Sequence, residues 1–296
     1  MNEITCVVPS GDICGEAATW DAGTGTLHWV DINRFILHSH DTAAGATRSR
    51  LFDEPVVALS LTEREGTLLV ALASRIIFYA PATGAVEETG ATLPGWPDVR
   101  FNDGRTDPRG VFWIGSMGNN VGPEGQSLDI EDGLGKLFRY RPGGTLEEIE
   151  SGIGISNTLC WAPDRSVFYF GDTLRNEIRA YPYDAATGEI GQGRPFFSGF
   201  ERGLPDGSAI DAEGYIWNCR FGGGCIVRVA PDGEIDRVIE MPCKNITTCA
   251  FGGEDLSTLY VTTASVAKAP TDRLAGSLFA IGTGTRGMAE NRFAMP

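Results

Sequence analysis

The sequence of 296 residues lacks the marks of a membrane or secreted protein. No apolar run approaches the roughly 20 residues that a membrane-spanning helix needs. The segment Met1 to Thr5 has neither the basic part nor the apolar part of a secretory signal. Seven cysteines, an odd number with no C-x-x-C pair, predict reduced and mostly buried thiols rather than disulfides or a zinc knuckle. We therefore expect a soluble, cytoplasmic protein with no membrane partner.

Basic charge is also scarce. Lysine and arginine total 24 against 39 acidic residues, which gives a formal net charge of −15, and no lysine or arginine cluster is present. Nucleic-acid sites need a basic face, so this composition excludes a nucleic-acid partner. We interpret the excess of acid as a solvated surface.

Familiar catalytic and cofactor motifs are missing as well. Without a G-x-S-x-G elbow or an H-E-x-x-H pair, serine hydrolase and zincin chemistry lack their central residues. Residues 282–287 match G-x-G-x-x-G but lead into a short tail rather than a helix, so we do not interpret them as a dinucleotide loop. His38 and His40 could form a metal pair, but we predict that they lie on an exposed face of an outer strand.

A recurring strand pattern is the strongest positive signal. Short apolar strands recur around anchor residues at spacings of 40, 44, 56, 48 and 43, and each is followed by a third strand. A period in the forties built only from strands predicts propeller blades rather than a helical solenoid. We predict an all-β fold over residues 1–296, a single six-bladed β-propeller of four-stranded antiparallel blades. The anchors are Trp29, Leu69, Trp113, Tyr169, Trp217 and Tyr260.

The two ends of the chain complete this pattern. The sixth unit has no convincing fourth strand, whereas the first strand, Ile4 to Val8, belongs to no unit. Pairing the two would remove an exposed sheet edge. We predict that the N-terminal strand closes the ring.

Polar residues occur where the innermost strands begin. Counting back 11 to 14 residues from each anchor gives Glu16, Val56, Asn102, Asn157, Asp206 and Ile246. Innermost strands line the channel, so these positions should form a ring around one end of it. A turn or strand-start role would explain any one of the polar residues alone, but four equivalent occurrences favour a shared site. Carboxylate and amide oxygens suit Ca²⁺, Mg²⁺ or Mn²⁺.

Three further features surround these positions. The tripeptide Pro-Asp-Gly occurs at 205–207 and at 231–233, and only the first copy begins an inner strand; we predict that the second is an outer turn. Arg100, Asn102 and Asp103 form a group that could bind a hydroxyl-rich ligand, although a surface ion pair is the alternative. Residues 118–134 are rich in Gly, Asn and Asp and predict a mobile loop, either a lid or a passive insertion.

Together these motifs resemble the gluconolactonase and regucalcin (senescence marker protein) family over nearly the whole chain. Two positions depart from the family pattern: Ala17-Ala18 replaces Gly-Pro, and Thr158 replaces Gly, which leaves the shape of the pocket open. The matching motifs are Gly15-Glu16, Arg100 to Gly104, Ser156-Asn157, Pro205 to Gly207 and Ala250 to Gly253.

The resemblance implies a six-bladed propeller that holds one divalent metal ion, of the set Ca²⁺, Zn²⁺, Mn²⁺, Mg²⁺ and Fe²⁺, and hydrolyses a sugar lactone. It implies metal ligands at Glu16, Asn157 and Asp206. The implied substrate contacts are Arg100, Asn102 and Asp103.

We therefore expect metal-dependent hydrolysis of an aldonolactone to its aldonic acid in carbohydrate catabolism, with Asp206 as both ligand and general base. A phosphotriesterase-like hydrolase and a non-catalytic calcium-binding regulator on the same scaffold are the alternatives. The particular lactone, its ring size and the oligomeric state stay open at this point.

Overall fold

Six small sheets make up the fold in the computed structural model, which describes residues 3–268 and 271–295. We number the blades by the order of their innermost strands along the chain. Blade 1 contains β2 (Gly15–Asp21), β3 (Thr26–Asp31), β4 (Ile36–Asp41) and β5 (Ala46–Leu51). Blade 2 contains β6 (Val56–Thr62), β7 (Leu68–Leu72), β8 (Arg75–Ala80) and β9 (Ala85–Thr92). Blade 3 contains β10 (Val99–Thr106), β11 (Phe112–Gly118), β12 (Gly135–Arg141) and β13 (Thr145–Ile153).

The remaining blades repeat the arrangement. Blade 4 contains β14 (Ser156–Trp161), β15 (Val167–Asp172), β16 (Glu177–Pro182) and β17 (Arg194–Ser198). Blade 5 contains β18 (Leu204–Ile210), β19 (Ile216–Phe221), β20 (Cys225–Val229) and β21 (Ile235–Glu240). Blade 6 contains β22 (Asn245–Gly252), β23 (Thr258–Ala264) and β24 (Leu278–Gly282), together with β1 (Ile4–Val8) from the start of the chain.

The inner strands pack against one another in sequence and close a ring, because β2 contacts both β6 and β22. This confirms the predicted six-bladed propeller. Inner strands such as β6, Val-Val-Ala-Leu-Ser-Leu-Thr, are buried on both faces, whereas the outermost β5, Ala-Thr-Arg-Ser-Arg-Leu, is exposed throughout. Neighbouring blades cover both faces of an inner strand, which therefore carries continuous apolar sequence, and the outermost strand needs none. No helix, and so no membrane-spanning helix, occurs within the described ranges.

The predicted closure by the N-terminal strand is also confirmed. Strand β1 pairs with β24 in antiparallel register, with Ile4 opposite Ile281 and Thr5 opposite Ala280. The predicted outer turn at 231–233 joins β20 to β21.

The C-terminal tail adds an element that the sequence did not predict. Strand β25 (Arg292–Phe293) pairs in parallel with the end of β6 and makes blade 2 five-stranded rather than four-stranded. Asn291 donates to the carbonyl of Thr106 at the end of β10, and Gly287 forms a bridge with Asp211 just past β18. The tail therefore crosses the end of the channel at which the inner strands finish.

Buried aspartates hold the tryptophan anchors. Asp107 accepts hydrogen bonds from the Trp113 indole (3.0 Å), the Tyr183 hydroxyl (2.8 Å) and the Val111 amide (2.9 Å). Asp211 repeats the arrangement, with the Trp217 indole at 2.9 Å. The sequence pattern D-x-x-G-x-x-W at 107–113 and 211–217 thus combines a turn with an inward indole, and it explains why these anchors recur.

The prediction that His38 and His40 lie on an exposed strand face is wrong. Both are 4% exposed. The His38 ring stacks on Trp29 with centroids 4.7 Å apart, and its Nε2 lies 3.2 Å from Asp12 Oδ1. The physical reason is that the third strand is enclosed by its own blade and by the segment before it, since His38 Nδ1 lies 2.8 Å from Ser49 Oγ and His40 Nδ1 lies 2.9 Å from Thr47 Oγ1, both in β5.

The seven cysteines agree with the prediction of reduced thiols. All are free, and five are buried, whereas Cys6 and Cys14 are half-buried.

Asp107→Ala tests the role of the buried aspartates. It would leave an indole, a hydroxyl and two backbone amides without their acceptor, at a cost of about 1–3 kcal/mol for each buried group left unpaired. We expect the Tm in a circular-dichroism melt to fall by roughly 6 °C or more. The exposed turn residue Asp232 is the control, and Asp232→Ala should change the Tm by about 2 °C at most. Equal melting of the two variants would contradict this account.

Candidate active site

The predicted polar residues lie together at the end of the channel where the inner strands begin. The inner strands carry register irregularities there, after Glu16 in β2, Phe101 in β10, Asn157 in β14 and Pro205 in β18. A β-bulge redirects side chains and interrupts regular pairing, which allows polar groups to face the channel. The equivalent positions in the other two blades, Val56 and Ile246, are fully buried apolar residues and add no ligand.

Two carboxyl groups form the centre of the site. Glu16 is 8% exposed and Asp206 is 7% exposed, and the two carboxyl groups lie close enough for their charges to interact. Burial, followed by the negative charge of Asp206, raises the pKa of Glu16 well above its usual range. Burial and then the charge of Asp103 do the same to the pKa of Asp206. Ionising both carboxyl groups is therefore costly unless a positive charge lies close to them.

Asn157 places an amide beside this pair. Its Nδ2 donates to Thr173 Oγ1 at 2.8 Å, and Thr173 Oγ1 donates to the Pro205 carbonyl at 2.7 Å. Within the described ranges, no hydrogen bond to Asn157 Oδ1 is found. That oxygen is therefore available to a ligand.

Arg100 and Asn102 form a second polar group at the same end of the channel. Arg100 Nη1 donates to Asn102 Oδ1 (2.6 Å) and to the Phe101 carbonyl (2.8 Å), and Asn102 Nδ2 donates to the Ser156 carbonyl (2.8 Å). Arg100 is 4% exposed, and burial lowers its pKa to about 10, so the guanidinium stays charged near neutral pH. It supplies positive charge close to Glu16 and Asp206.

Asn120 is a site residue that sequence reasoning missed. Its Oδ1 accepts a hydrogen bond from Arg100 Nε at 2.9 Å. It lies in segment 118–134, and the carbonyl of Gly125 in the same segment accepts a hydrogen bond from Asn33 of blade 1 at 2.8 Å. The segment thus runs from blade 3 towards blade 1 at the same end of the channel. Neither the period nor the spacing of strands could identify Asn120, because a loop belongs to no repeat.

Asp103 interacts with the charges of both the carboxyl pair and Arg105. It is half-buried, and its pKa is raised by burial and lowered by Arg105. Arg105 Nε in turn lies 3.6 Å from Glu290 Oε2, on the C-terminal tail. Asp103 therefore stands between the carboxyl pair and the tail, and its predicted contact with substrate stays a prediction.

The two departures from the family pattern share one backbone feature. Ala17 has φ of 55° and Thr158 has φ of 53°, in the left-handed region that favours glycine. This conformation costs a residue with a side chain roughly 1–2 kcal/mol. Thr158 gains hydrogen bonds in return, because its Oγ1 donates to the Asp206 carbonyl at 2.5 Å and lies 2.8 Å from Ser208 Oγ.

The side chains present fit a hard divalent cation. Glu16 and Asp206 offer carboxylate oxygens and Asn157 offers an amide oxygen, the donor types that Ca²⁺, Mg²⁺ and Mn²⁺ prefer. The described part of the chain contains no group of three or more His, Cys, Asp or Glu side chains placed to hold a metal, so an amide would have to be the third ligand. A cation here would also relieve the repulsion between the two buried carboxylates.

A closed six-bladed propeller with a buried, oxygen-rich site at one end of its channel is the class that this fold and site define. The sequence profile described as the SMP-30/gluconolactonase/LRE-like region matches residues 14–265. The chain belongs to that family, which confirms the resemblance seen in the motifs.

Individual relatives cover nearly the whole chain. The 6-deoxy-6-sulfogluconolactonase of Pseudomonas putida is 34% identical over 99% of this chain and 100% of its own. Pentonolactonase XacC of Haloferax volcanii is 33% identical over 98% of this chain and 97% of its own. The crystal structure of a calcium-binding regucalcin from Agrobacterium tumefaciens matches with a TM-score of 0.89 at 31% identity, over 97% of this chain and 96% of that one.

Asp206→Asn tests the electrostatics of the carboxyl pair in protein freed of cations by a chelator. A carboxyl group whose pKa is raised on folding stabilises the fold at low pH, and this stability is lost as the pH rises above the ordinary carboxyl range. The Tm of the wild type should therefore fall as the pH rises from the ordinary carboxyl range, about pH 4, towards neutral pH. Asp206→Asn should reduce that fall and raise the Tm at the upper pH.

Asp232→Asn, in the outer copy of the same tripeptide, is the matched control and should follow the wild type. Added Ca²⁺ should raise the Tm of the wild type more than that of Asp206→Asn. If the three proteins show the same pH dependence, the carboxyl pair does not limit stability.

Proposed function

We propose that this protein hydrolyses an aldonolactone to the open aldonic acid in carbohydrate catabolism, with the help of one divalent cation. The buried Glu16 and Asp206 pair beside Asn157 is the observation that carries the proposal. The family includes sugar lactone hydrolases, and relatives named 6-deoxy-6-sulfogluconolactonase and pentonolactonase support a lactone of a sugar acid as the substrate.

Glu16, Asn157 and Asp206 would hold the cation, which when bound would supply Lewis-acid polarisation of the lactone carbonyl. Hydrolysis adds water across the ester bond, and Asp206 would accept a proton from the attacking water. The same carboxyl can return that proton to the ring oxygen as its bond to the carbonyl carbon breaks. The products are one hydroxyl and one carboxylic acid, so the atoms of lactone and water are accounted for.

Arg100 and Asn102 would orient the substrate. Their mutual hydrogen bond fixes both side chains, and Asn102 is anchored further by the Ser156 carbonyl. Among the described residues no acceptor is found for Arg100 Nη2, which leaves this nitrogen free to donate to a ring hydroxyl. A group held in advance loses little entropy when it binds the substrate.

We also propose that the protein acts in the cytoplasm, since all seven cysteines are free thiols.

Asp206→Asn provides the principal test of the reaction. The wild type, stripped by a chelator, should regain turnover of one or more aldonolactones when Ca²⁺, Mn²⁺, Mg²⁺, Zn²⁺ or Fe²⁺ is added back. Asp206→Asn keeps an oxygen donor but loses the base, so kcat should fall about 10²-fold or more at saturating cation. Asp232→Asn again serves as the control and should turn over normally.

The same preparations should be assayed with an aryl phosphotriester. Faster turnover of the phosphotriester would favour the phosphotriesterase reading. Cation binding without turnover of any lactone or phosphotriester would favour the non-catalytic calcium-binding regulator.

Arg100→Lys tests the orientation of the substrate. Lysine keeps the positive charge but lacks the several N–H groups with which Arg100 donates to Asn102 and Asn120 and would donate to the substrate. We expect kcat/KM to fall about 10- to 100-fold, the effect of losing one charge-assisted hydrogen bond. Arg202→Lys is the control, since this exposed arginine bonds Glu240 and the Gly223 carbonyl at the surface. Unchanged kcat/KM in Arg100→Lys would remove Arg100 from the substrate site.

A further inference from the structure

We propose that Thr173 positions Asn157 for cation binding by fixing which end of its amide faces the channel. This inference rests on the proposed cation site. Thr173 follows the end of β15 and is 6% exposed. It contributes no ligand itself, and neither the repeat pattern nor the family resemblance identified it.

The Thr173 hydroxyl lies between two blades. Its Oγ1 is 2.8 Å from Asn157 Nδ2 within blade 4 and 2.7 Å from the carbonyl oxygen of Pro205 in blade 5. The backbone of Thr173 is held as well, because its amide donates to the Ile155 carbonyl at 3.0 Å. The hydroxyl therefore has a fixed place between its two partners.

The chemistry of these two partners determines the direction of both hydrogen bonds. A hydroxyl has one proton to donate, and the Pro205 carbonyl can only accept, so the Thr173 proton must go to Pro205. Towards Asn157, Thr173 can then only accept, and only the NH₂ end of the amide can donate. Asn157 Oδ1 must face the other way, away from Thr173 and free to bind a cation.

A hydrogen bond is needed to fix the orientation of the Asn157 amide, because its two ends have nearly the same size and shape and packing alone selects poorly between them. In the flipped orientation, Asn157 would present an NH₂ group where the two carboxylates need a ligand oxygen beside them. Hydrogen bonds that orient a metal ligand commonly affect metal affinity about 10- to 100-fold.

Thr158 makes a similar hydrogen bond to the next residue of β18. Its hydroxyl donates to the Asp206 carbonyl at 2.5 Å. Two threonines near Asn157 thus bond consecutive carbonyls of the strand that carries Asp206. The side-chain partners of the Thr158 hydroxyl, Ser208 and Asn218, are not proposed ligands, whereas Thr173 also sets the orientation of a ligand side chain.

The test is calorimetric titration of chelator-treated protein with Ca²⁺, which does not depend on turnover. Thr173→Val keeps the shape but removes the hydroxyl, and we expect Ca²⁺ to bind about tenfold more weakly or worse. Thr173→Ser keeps the hydroxyl and should bind within about threefold of the wild type.

Thr62→Val is the matched control. Thr62 is fully buried, its Oγ1 lies 2.9 Å from each of two backbone carbonyl oxygens that share its one proton, and it stands at the far end of the inner strand of blade 2. Thr62→Val should lower the Tm by about as much as Thr173→Val does, without weakening Ca²⁺ binding. Thr173→Ala removes the same hydroxyl from a smaller side chain and replaces Thr173→Val if that variant does not fold.

A double-mutant cycle with Asn157→Asp separates orientation from general support. Both ends of a carboxylate are oxygens, so orientation no longer matters in that background, and Thr173→Val should then cost much less Ca²⁺ affinity. The same loss in both backgrounds, or normal Ca²⁺ binding by Thr173→Val, would overturn the inference about Thr173. A wild type that binds no divalent cation would instead overturn the proposed cation site.

Discussion

The pairing of β1 with β24 joins the start of the chain to the last blade and closes the ring, and the site depends on that closure. Glu16 follows the first strand, whereas Asp206 lies in the fifth blade, so nothing local brings their carboxyl groups together. A ring of inner strands does so, because equivalent positions in each blade meet at one end of the channel. An open arrangement would expose the edge of β24 and separate the first blade from the last.

This geometry places groups together that would not associate by themselves. Two buried carboxyls raise each other's cost of ionisation, and Arg100 compensates for only part of their charge. Further strain lies nearby, in the bulges at the strand starts and in the left-handed backbone at Ala17 and Thr158. Hydrogen bonds from threonine hydroxyls to the next blade help to stabilise this region. Strain and unfavourable burial concentrated in one place are typical of functional sites.

Much of this arrangement could be predicted from local patterns. The anchors indicated the number of blades, the unpaired first strand indicated the closure, and polar residues at apolar strand positions indicated Glu16, Asn102, Asn157 and Asp206. The errors concern places where contacts outside the repeat pattern determine the environment. His38 was expected on an exposed face but is covered by its neighbours, and residues 287–295 were expected to be a plain tail but cross the far end of the channel.

The sequence by itself determined the repeated strands, the turns between them and the chemical type of each residue at the channel, because these follow from short-range periodicity and composition. Only the tertiary structure decided that Asn120 bonds Arg100, that the charge of Arg105 acts on Asp103, and that Asn157 donates to Thr173. These relations depend on distances between side chains from different strands and loops. The closed ring sets such distances, and no periodicity along the chain encodes them.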